Sequence, residues 1–279
     1  MLWEWLTAMR AQCPAYVRRL GLLRELVAIE ARGRRCHKHW APHLERSKSL
    51  IARSAEKAPG DRLAVVLGSG PLFDIPLETL AARFETVILA DVAHLPRAGK
   101  RARKLGNARL AVLDVTGMLE RTMRAAARGD GDLTVDEPTA FLDLAPDFVV
   151  SANLASQLPL PFARMLARSA NPAHREEAFA RAFSRSLIEA HFFWLSRFSG
   201  RVCLIADLTW ISADGDAILA EKDALCGVRP PSGGERWLWD VAPRGEHSWE
   251  YERRNLVAGF EDFGAALAPG GRSRDAACG

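Results

Sequence analysis

Four apolar runs, separated by segments with helical spacing, dominate the middle of this 279-residue chain. They cover residues 63–67, 85–90, 108–113 and 148–150, and each stops at a small or polar residue. Apolar runs of this length predict strands that are buried on both faces, as in a parallel sheet. Strands that alternate with helices in this way predict a doubly wound α/β fold, whose ligands bind at the carboxyl ends of the strands.

The first strand runs directly into a glycine bend, Gly68-Ser69-Gly70, and a helix is predicted to begin near Pro76. Glycine permits a tight turn and lets a ligand approach main-chain N–H groups. Asp91 ends the second strand, 23 residues after Gly68, near the spacing of about 20 at which an acidic residue binds a ribose diol. The bend and this acid together indicate a nucleotide-binding corner.

The remaining strands come later in the chain. A fifth strand is predicted over 201–208, and two β-rich segments, 236–241 and 248–259, are joined by the turn PRGEH into a hairpin. Residues 1–58 show the apolar spacing of helices. The predicted fold is therefore a doubly wound, mainly parallel seven-stranded sheet with a C-terminal antiparallel hairpin and an N-terminal helical extension.

Four segments, VVLGSGPLFDIP, VILADV, ARLAVLDV and PDFVVSANL, resemble the successive motifs of the class I S-adenosylmethionine-dependent methyltransferases. The resemblance implies a Rossmann-like domain over 59–264, preceded by a helical lid or extension (1–58) and followed by a tail expected to be disordered (265–279). It implies S-adenosyl-L-methionine as cofactor and a transferase that methylates an O, N, S or C nucleophile of a small-molecule substrate. The terminal hairpin favours this family over nicotinamide-dependent reductases, and GSGPLF also lacks the last glycine of their G-x-G-x-x-G pattern.

The same resemblance implies which residues contact the cofactor. The glycine bend would face the methionine part, Asp91 the ribose hydroxyls and Asp114 the adenine amino group. The cofactor-binding residues predicted in this way are Gly68, Ser69, Gly70, Asp91, Val92, Asp114, Val115, Ser151 and Asn153. Ser151 and Asn153 end the fourth strand, where the transferred methyl group is expected, although both residue types are also common where a strand ends and a helix begins.

Histidines provide the candidate general bases. His191 lies on the apolar stripe of a helix predicted over 172–198, where a neutral imidazole suits proton abstraction, and a core histidine without catalytic role is the alternative. His37, the second predicted catalytic residue, belongs to a cluster with His39, Trp40 and His43. No metal site is predicted there, because His37 and His39 point in different directions on a helix.

Composition and sequence pattern indicate the cellular compartment. The five cysteines are odd in number and form no C-x-x-C pair, which favours reduced thiols and a cytoplasmic protein. The sequence shows neither a signal-peptide pattern nor an uncharged apolar stretch of about 18 residues, so no membrane partner is expected.

Two other functions remain as alternatives. One is a non-catalytic nucleoside-binding or scaffold protein on the same fold, since fold does not fix function. The other is an RNA methyltransferase that uses the basic run 97–104, although that run lacks the interleaved aromatic residues on which bases stack and the net charge is only +4. The N-terminal helices are expected either to close over the site or to pair with a second subunit in a homodimer.

Overall fold

The computed structural model describes residues 7–8, 11–131 and 133–267. Eight strands lie within these residues: β1 (Leu63–Leu67), β2 (Thr86–Asp91), β3 (Ala108–Val112), β4 (Phe148–Ala152), β5 (Arg201–Asp214), β6 (Ala217–Asp223), β7 (Glu235–Ala242) and β8 (Glu252–Phe260). They form one sheet in the order β3-β2-β1-β4-β5-β8-β7, and β6 pairs with β5 outside this path.

The first five strands run parallel to one another. The central strand β1 pairs with β2 on one side and with β4 on the other, so that Val65 lies between Ile88 and Val149. β3 adds to β2, and β5 adds to β4. β8 then pairs antiparallel with both β5 and β7. The predicted doubly wound sheet and its terminal antiparallel hairpin, β7–β8, are confirmed.

Helices cover both faces of the sheet. They are α1 (Ala15–Arg19), α2 (Leu22–Arg35), α3 (His37–Glu56), α4 (Leu77–Arg83), α5 (Pro96–Leu105), α6 (Leu119–Arg128), α7 (Pro159–Leu166), a 3₁₀ helix (Pro172–Arg175), α8 (Glu177–Ser196) and α9 (Phe263–Leu267). Ala64 and Val66 of β1 pack in one core with α3, α4 and α5, whereas Val65 and Leu67 pack in a second core with α8 and α9. Burial on both faces explains why this strand is an unbroken apolar run.

The sheet has eight strands where seven were expected. β5 continues past residue 208 to Asp214, and the extra strand β6 returns antiparallel to it after a turn in which Gly215 has φ +60°. Every residue of β6 is exposed, so the sequence carries no alternation of apolar and polar positions by which this strand could be recognised.

At the C-terminal end, a helix overlaps the segment that was expected to be a disordered tail. α9 extends through 263–267 and so enters the segment assigned to a disordered tail, while the rest of that tail, 268–279, lies outside the described residues. Residues 1–6 and 9–10 of the N-terminal extension lie outside them as well. No helix among the described residues is both long and apolar enough to cross a membrane.

Candidate functional site

The glycine bend follows β1 and is bonded to the neighbouring strand. Gly68 and Gly70 have φ of +69° and +52°, which glycine adopts without steric cost. The main-chain N–H groups of Gly68 and Ser69 donate to the carbonyl oxygen of Ala90 over 2.9 and 3.2 Å. A Cβ at Gly68 would lie 3.1 Å from Leu154, whereas at Gly70 the nearest atom, the Gly68 oxygen, would be 3.8 Å away. The chain at Gly70 is therefore open toward the space beyond it.

Asp91 meets this bend at the end of β2. Its Oδ2 accepts a hydrogen bond from the Gly70 N–H over 2.7 Å. Burial raises the pKa of the Asp91 carboxyl, while hydrogen bonds from main-chain N–H groups, first that of Gly70, oppose this shift. The structure thus brings two of the predicted positions into direct contact.

Asp114 organises the loop after β3. Its Oδ1 accepts from the Thr116 N–H over 3.0 Å and from the Thr116 hydroxyl over 2.7 Å, and its Oδ2 accepts from the Leu119 N–H over 2.8 Å. The last of these bonds satisfies an N–H group in the first turn of α6, a role typical of aspartate at a helix start.

A cavity of about 210 Å³ lies where these loops converge. The carboxyl ends of β1, β2 and β4 and the loops that follow β1, β3 and β4 form its floor, and residues of α2, α3, α6, α7 and β7 form the rest of its wall. The predicted residues that line it are Gly68, Ser69, Gly70, Asp91, Val92, Asp114, Val115 and Asn153.

Three other predicted residues are placed elsewhere. Ser151 and His191 are buried beneath the cavity floor, where the Ser151 Oγ and the His191 Nε2 lie 2.9 Å apart. Burial lowers the pKa of His191 to about 3. The apolar stripe of α8 faces the sheet and not the cavity, so His191 packs against Trp194 and Phe192. His37 is exposed at the start of α3, with its Nδ1 3.2 Å from the Arg34 oxygen. Neither histidine lines the cavity.

Asn153, Asp74 and His43 form a polar part of the cavity lining. Asn153 has φ +53° directly after β4, and its Nδ2 donates to the Asp74 Oδ2 over 2.8 Å. The same nitrogen lies 3.3 Å from the His43 Nε2. Burial raises the pKa of Asp74, and the hydrogen bond from Asn153 opposes the shift. His43 belonged to the predicted histidine cluster, whereas Asp74 carried no signal beyond being a polar residue six positions after the first glycine.

His43 is held in one orientation by two tryptophans. The Trp237 indole N–H donates to the His43 Nδ1 over 3.0 Å, and the Trp239 ring stacks on the imidazole at a centroid distance of 4.0 Å. Because an indole N–H can only donate, Nδ1 is the unprotonated nitrogen and the proton of neutral His43 sits on Nε2. Burial lowers the pKa of His43 to about 3, so the imidazole is neutral at physiological pH.

Comparisons with known proteins found solved structures that are similar to this chain at low sequence identity. No family model matches the sequence, and no curated protein matches it. Among solved structures, the chain is similar to the N-methyltransferase NodS from Bradyrhizobium japonicum WM9 in complex with S-adenosyl-L-homocysteine (15% identity, covering 78% of this chain and 86% of that one, TM-score 0.36). A 1,6-didemethyltoxoflavin-N1-methyltransferase from Burkholderia thailandensis (12%, 85% and 89%, TM-score 0.32) and the 23S rRNA methyltransferase ErmE (13%, 76% and 67%, TM-score 0.29) are also similar.

The observed strand order, five parallel strands followed by an antiparallel pair, is the arrangement that the motif resemblance implied. The strand order and pairing thus show a doubly wound, mainly parallel α/β sheet that ends in an antiparallel hairpin.

The lining of the cavity is acidic. Four carboxylates line it, Glu25, Asp74, Asp91 and Asp114, and none of the described lining residues is lysine or arginine. Glu25 is paired with Arg164 of α7, whose side chain lies outside the lining. An acidic cavity of this kind favours ligands that carry positive charge and disfavours a phosphate backbone.

Proposed function

We propose that the protein is an S-adenosylmethionine-dependent methyltransferase that acts on a nucleophile of a small molecule. One observation carries the proposal. An open glycine main chain and the carboxylate of Asp91 meet, 2.7 Å apart, at the rim of an acidic cavity into which Asp114 and Asn153 also project. These are the groups needed to bind an adenosyl moiety at the carboxyl ends of parallel strands.

The residues present fit the cofactor. Carboxylate oxygens of Asp91 can accept hydrogen bonds from the two ribose hydroxyls, and the lack of a side chain at Gly70 leaves room for a ligand against the main chain. Ser69 Oγ and Asn153 Oδ1 are buried in the cavity lining without a hydrogen-bond partner among the described residues, and so remain available. The four carboxylates suit the positive sulfonium.

The cofactor would supply an electrophilic methyl group, and the chain would align the acceptor and take up its proton. We infer that Asp74 is the general base, because it is half-buried, lines the cavity and sits beside Asn153 at the end of β4. Burial raises the pKa of its carboxyl toward neutrality, which is the direction that favours proton abstraction.

The hydrogen bonds of Asn153 depend on the protonation state of Asp74. With Asp74 ionised, the Nδ2 of Asn153 donates to it over 2.8 Å, and the same nitrogen faces the His43 Nε2–H, which is also a donor. With Asp74 protonated, a 180° rotation of the amide places its oxygen where it accepts from both Asp74 and the His43 Nε2–H. The Asn153 Oδ1, which has no partner in the first state, gains two in the second. The network therefore accommodates the transferred proton.

The N-terminal helices are proposed as the cover of the site. Leu22, Leu26 and Ile29 of α2 and Trp40 of α3 line the cavity opposite the strand ends. Glu25 of α2 forms an ion pair with Arg164 of α7, which joins the two sides of the cavity. A cover that excludes water strengthens the electrostatic interactions beneath it.

The residues that line the cavity favour a small-molecule methyl acceptor over RNA. The basic run lies on α5, which contributes no residue to the cavity lining. Within that run, Arg101 is already engaged by Glu78 and by the Leu72 carbonyl oxygen. Phosphate recognition would need free cations at the site, and the lining has none among the described residues.

Calorimetric titration of S-adenosylhomocysteine tests the proposal. We expect the wild-type protein to bind it and Asp91→Asn to bind about 10- to 100-fold more weakly, because charge-assisted hydrogen bonds are lost. Asp136→Asn is the matched control, since Asp136 pairs with Arg121 at the surface, away from the cavity. Equal affinities of all three proteins would contradict the ribose placement. Binding without transfer of a labelled methyl group to any small molecule of a cell extract would instead favour the non-catalytic alternative.

A further inference from the structure

A continuous aromatic wall forms one side of the cavity. Its members are Phe73 from the loop after β1, Trp40 and His43 from α3, and Trp239 from β7, and all four line the cavity. Trp40 meets Phe73 edge to face at a centroid distance of 6.2 Å and Trp239 edge to face at 5.2 Å. Trp239 in turn stacks on His43 at 4.0 Å. Three separate elements thus supply one aromatic surface.

The wall is fixed in place before any ligand binds. The Trp40 indole N–H donates to the Val241 carbonyl oxygen over 3.0 Å, and His43 is held by Trp237. Phe73 packs against α2 at Gly33, where an added Cβ would lie 2.4 Å from the Phe73 ring. Rings held in this way bind a ligand with little loss of side-chain entropy.

Asp74, which stands next to the wall, forms no ion pair with a lysine or arginine among the residues that the structure describes. Asp74 follows Phe73 in the chain, and its hydrogen-bond partner in the cavity is the neutral amide of Asn153. His43, which lies beyond Asn153, is neutral, and Lys48 of α3 is the cation that acts on Asp74 from a neighbouring element without lining the cavity. Aromatic faces and an acidic group together form a preferred environment for organic cations.

We propose that the methyl acceptor of this site is an amine attached to an apolar or aromatic group, with its ring against Trp40, Phe73 and Trp239 and its nitrogen beside Asp74. This inference rests on the proposed function. The bound ammonium would give a proton to the Asp74 carboxylate. The freed nitrogen lone pair would form the new N–C bond as the C–S bond breaks, and the electron pair of that bond would stay on sulfur as a neutral thioether.

Binding of matched probes tests the acceptor class. Phenethylammonium and its neutral counterpart 2-phenylethanol are titrated into the protein saturated with S-adenosylhomocysteine. We expect the cation to bind at least about tenfold more tightly than the alcohol, from the charge of Asp74 and the ring faces. In Asp74→Asn the ratio should fall below about threefold, while Trp239→Leu should weaken both probes. Asp136→Asn should behave as the wild type does.

Three results would overturn the inference. The first is equal affinity of the two probes for the wild type, and the second is an unchanged ratio in a folded Asp74→Asn variant. The third is tighter binding of phenylacetate, which carries the opposite charge, than of phenethylammonium to the wild type. Failure of the proposed function can be distinguished from failure of this inference. If the proposed function is wrong, S-adenosylhomocysteine does not bind, but the probes titrated alone still report on the wall and Asp74.

Discussion

At the scale of single residues, the proposed cofactor site depends on backbone positions that need glycine and on carboxylates at strand ends. Gly70 combines a positive φ with open space in front of its main chain, and its N–H is bonded to Asp91. A side chain there would project into the volume assigned to the cofactor. The two effects, backbone strain and occupied space, can be separated by comparison with another glycine.

Gly106 provides that comparison. It has φ +77° at the end of α5, and an added Cβ would meet no atom within 4 Å. Gly70→Ala and Gly106→Ala should each lower the free energy of unfolding by about 1–2 kcal/mol, the cost of a left-handed non-glycine residue. Calorimetry should show a loss of S-adenosylhomocysteine affinity in Gly70→Ala alone. Unchanged affinity in Gly70→Ala would place the cofactor away from the bend.

The sequence signals at this scale differ in strength. The positions of Gly68, Gly70 and Asp91 at the edge of the sheet could be predicted from the sequence. A strand precedes the glycine bend and another precedes Asp91, and each strand fixes the edge of the sheet at which these residues lie. Asp74 and Trp239 could not be predicted as lining residues, because no local pattern marks them and they come from distant parts of the chain. His191 was predicted from its place on the apolar stripe of a helix, but the direction in which that stripe faces depends on packing that periodicity does not report.

At the scale of elements, continuous burial made the parallel strands predictable. All residues of β1 and β4 are buried, and their apolar runs appear directly in the sequence. The terminal hairpin was predictable from its turn and its flanking β-rich segments. β6 was not, because an exposed strand is specified by its pairing with β5 and not by its own apolar pattern.

One helix begins later than the sequence pattern predicted. The helix expected over 172–198 is divided into a 3₁₀ turn and α8, which begins at Glu177. Asn171 accepts a hydrogen bond from the Ala173 N–H and so starts the short turn separately. Local caps of this kind shift helix starts without changing the apolar stripe on which the expectation rested.

At the scale of the whole molecule, buried histidines make stability depend on pH. Burial lowers the pKa values of His43 and His191 to about 3 in the folded protein, below the ordinary value of 6.5. The unfolded chain therefore binds more protons as pH falls below 6.5, so stability present above that pH is lost as pH falls toward 3. Buried carboxyls with raised pKa values, such as Asp207, act in the opposite direction and oppose this trend.

The variant His191→Gln isolates one histidine from these opposing groups. Between pH 7.5 and 5, the free energy of unfolding of the wild type should fall by about 2 kcal/mol more than that of the variant, because the variant lacks one protonation of the unfolded state. Denaturant titrations at both pH values measure the difference. Parallel pH profiles would show that His191 is not kept neutral by burial.

We propose that an adenosyl group binds against the glycine bend and Asp91, with its sulfur toward Asp74. A crystal structure of the protein with S-adenosylhomocysteine tests this claim most directly. We expect the ribose hydroxyls to lie within hydrogen-bond distance of the Asp91 carboxylate. We expect the sulfur to lie on the side of the cavity that Asn153 and Asp74 line. A nucleoside bound elsewhere, or an empty cavity at saturating ligand, would contradict it.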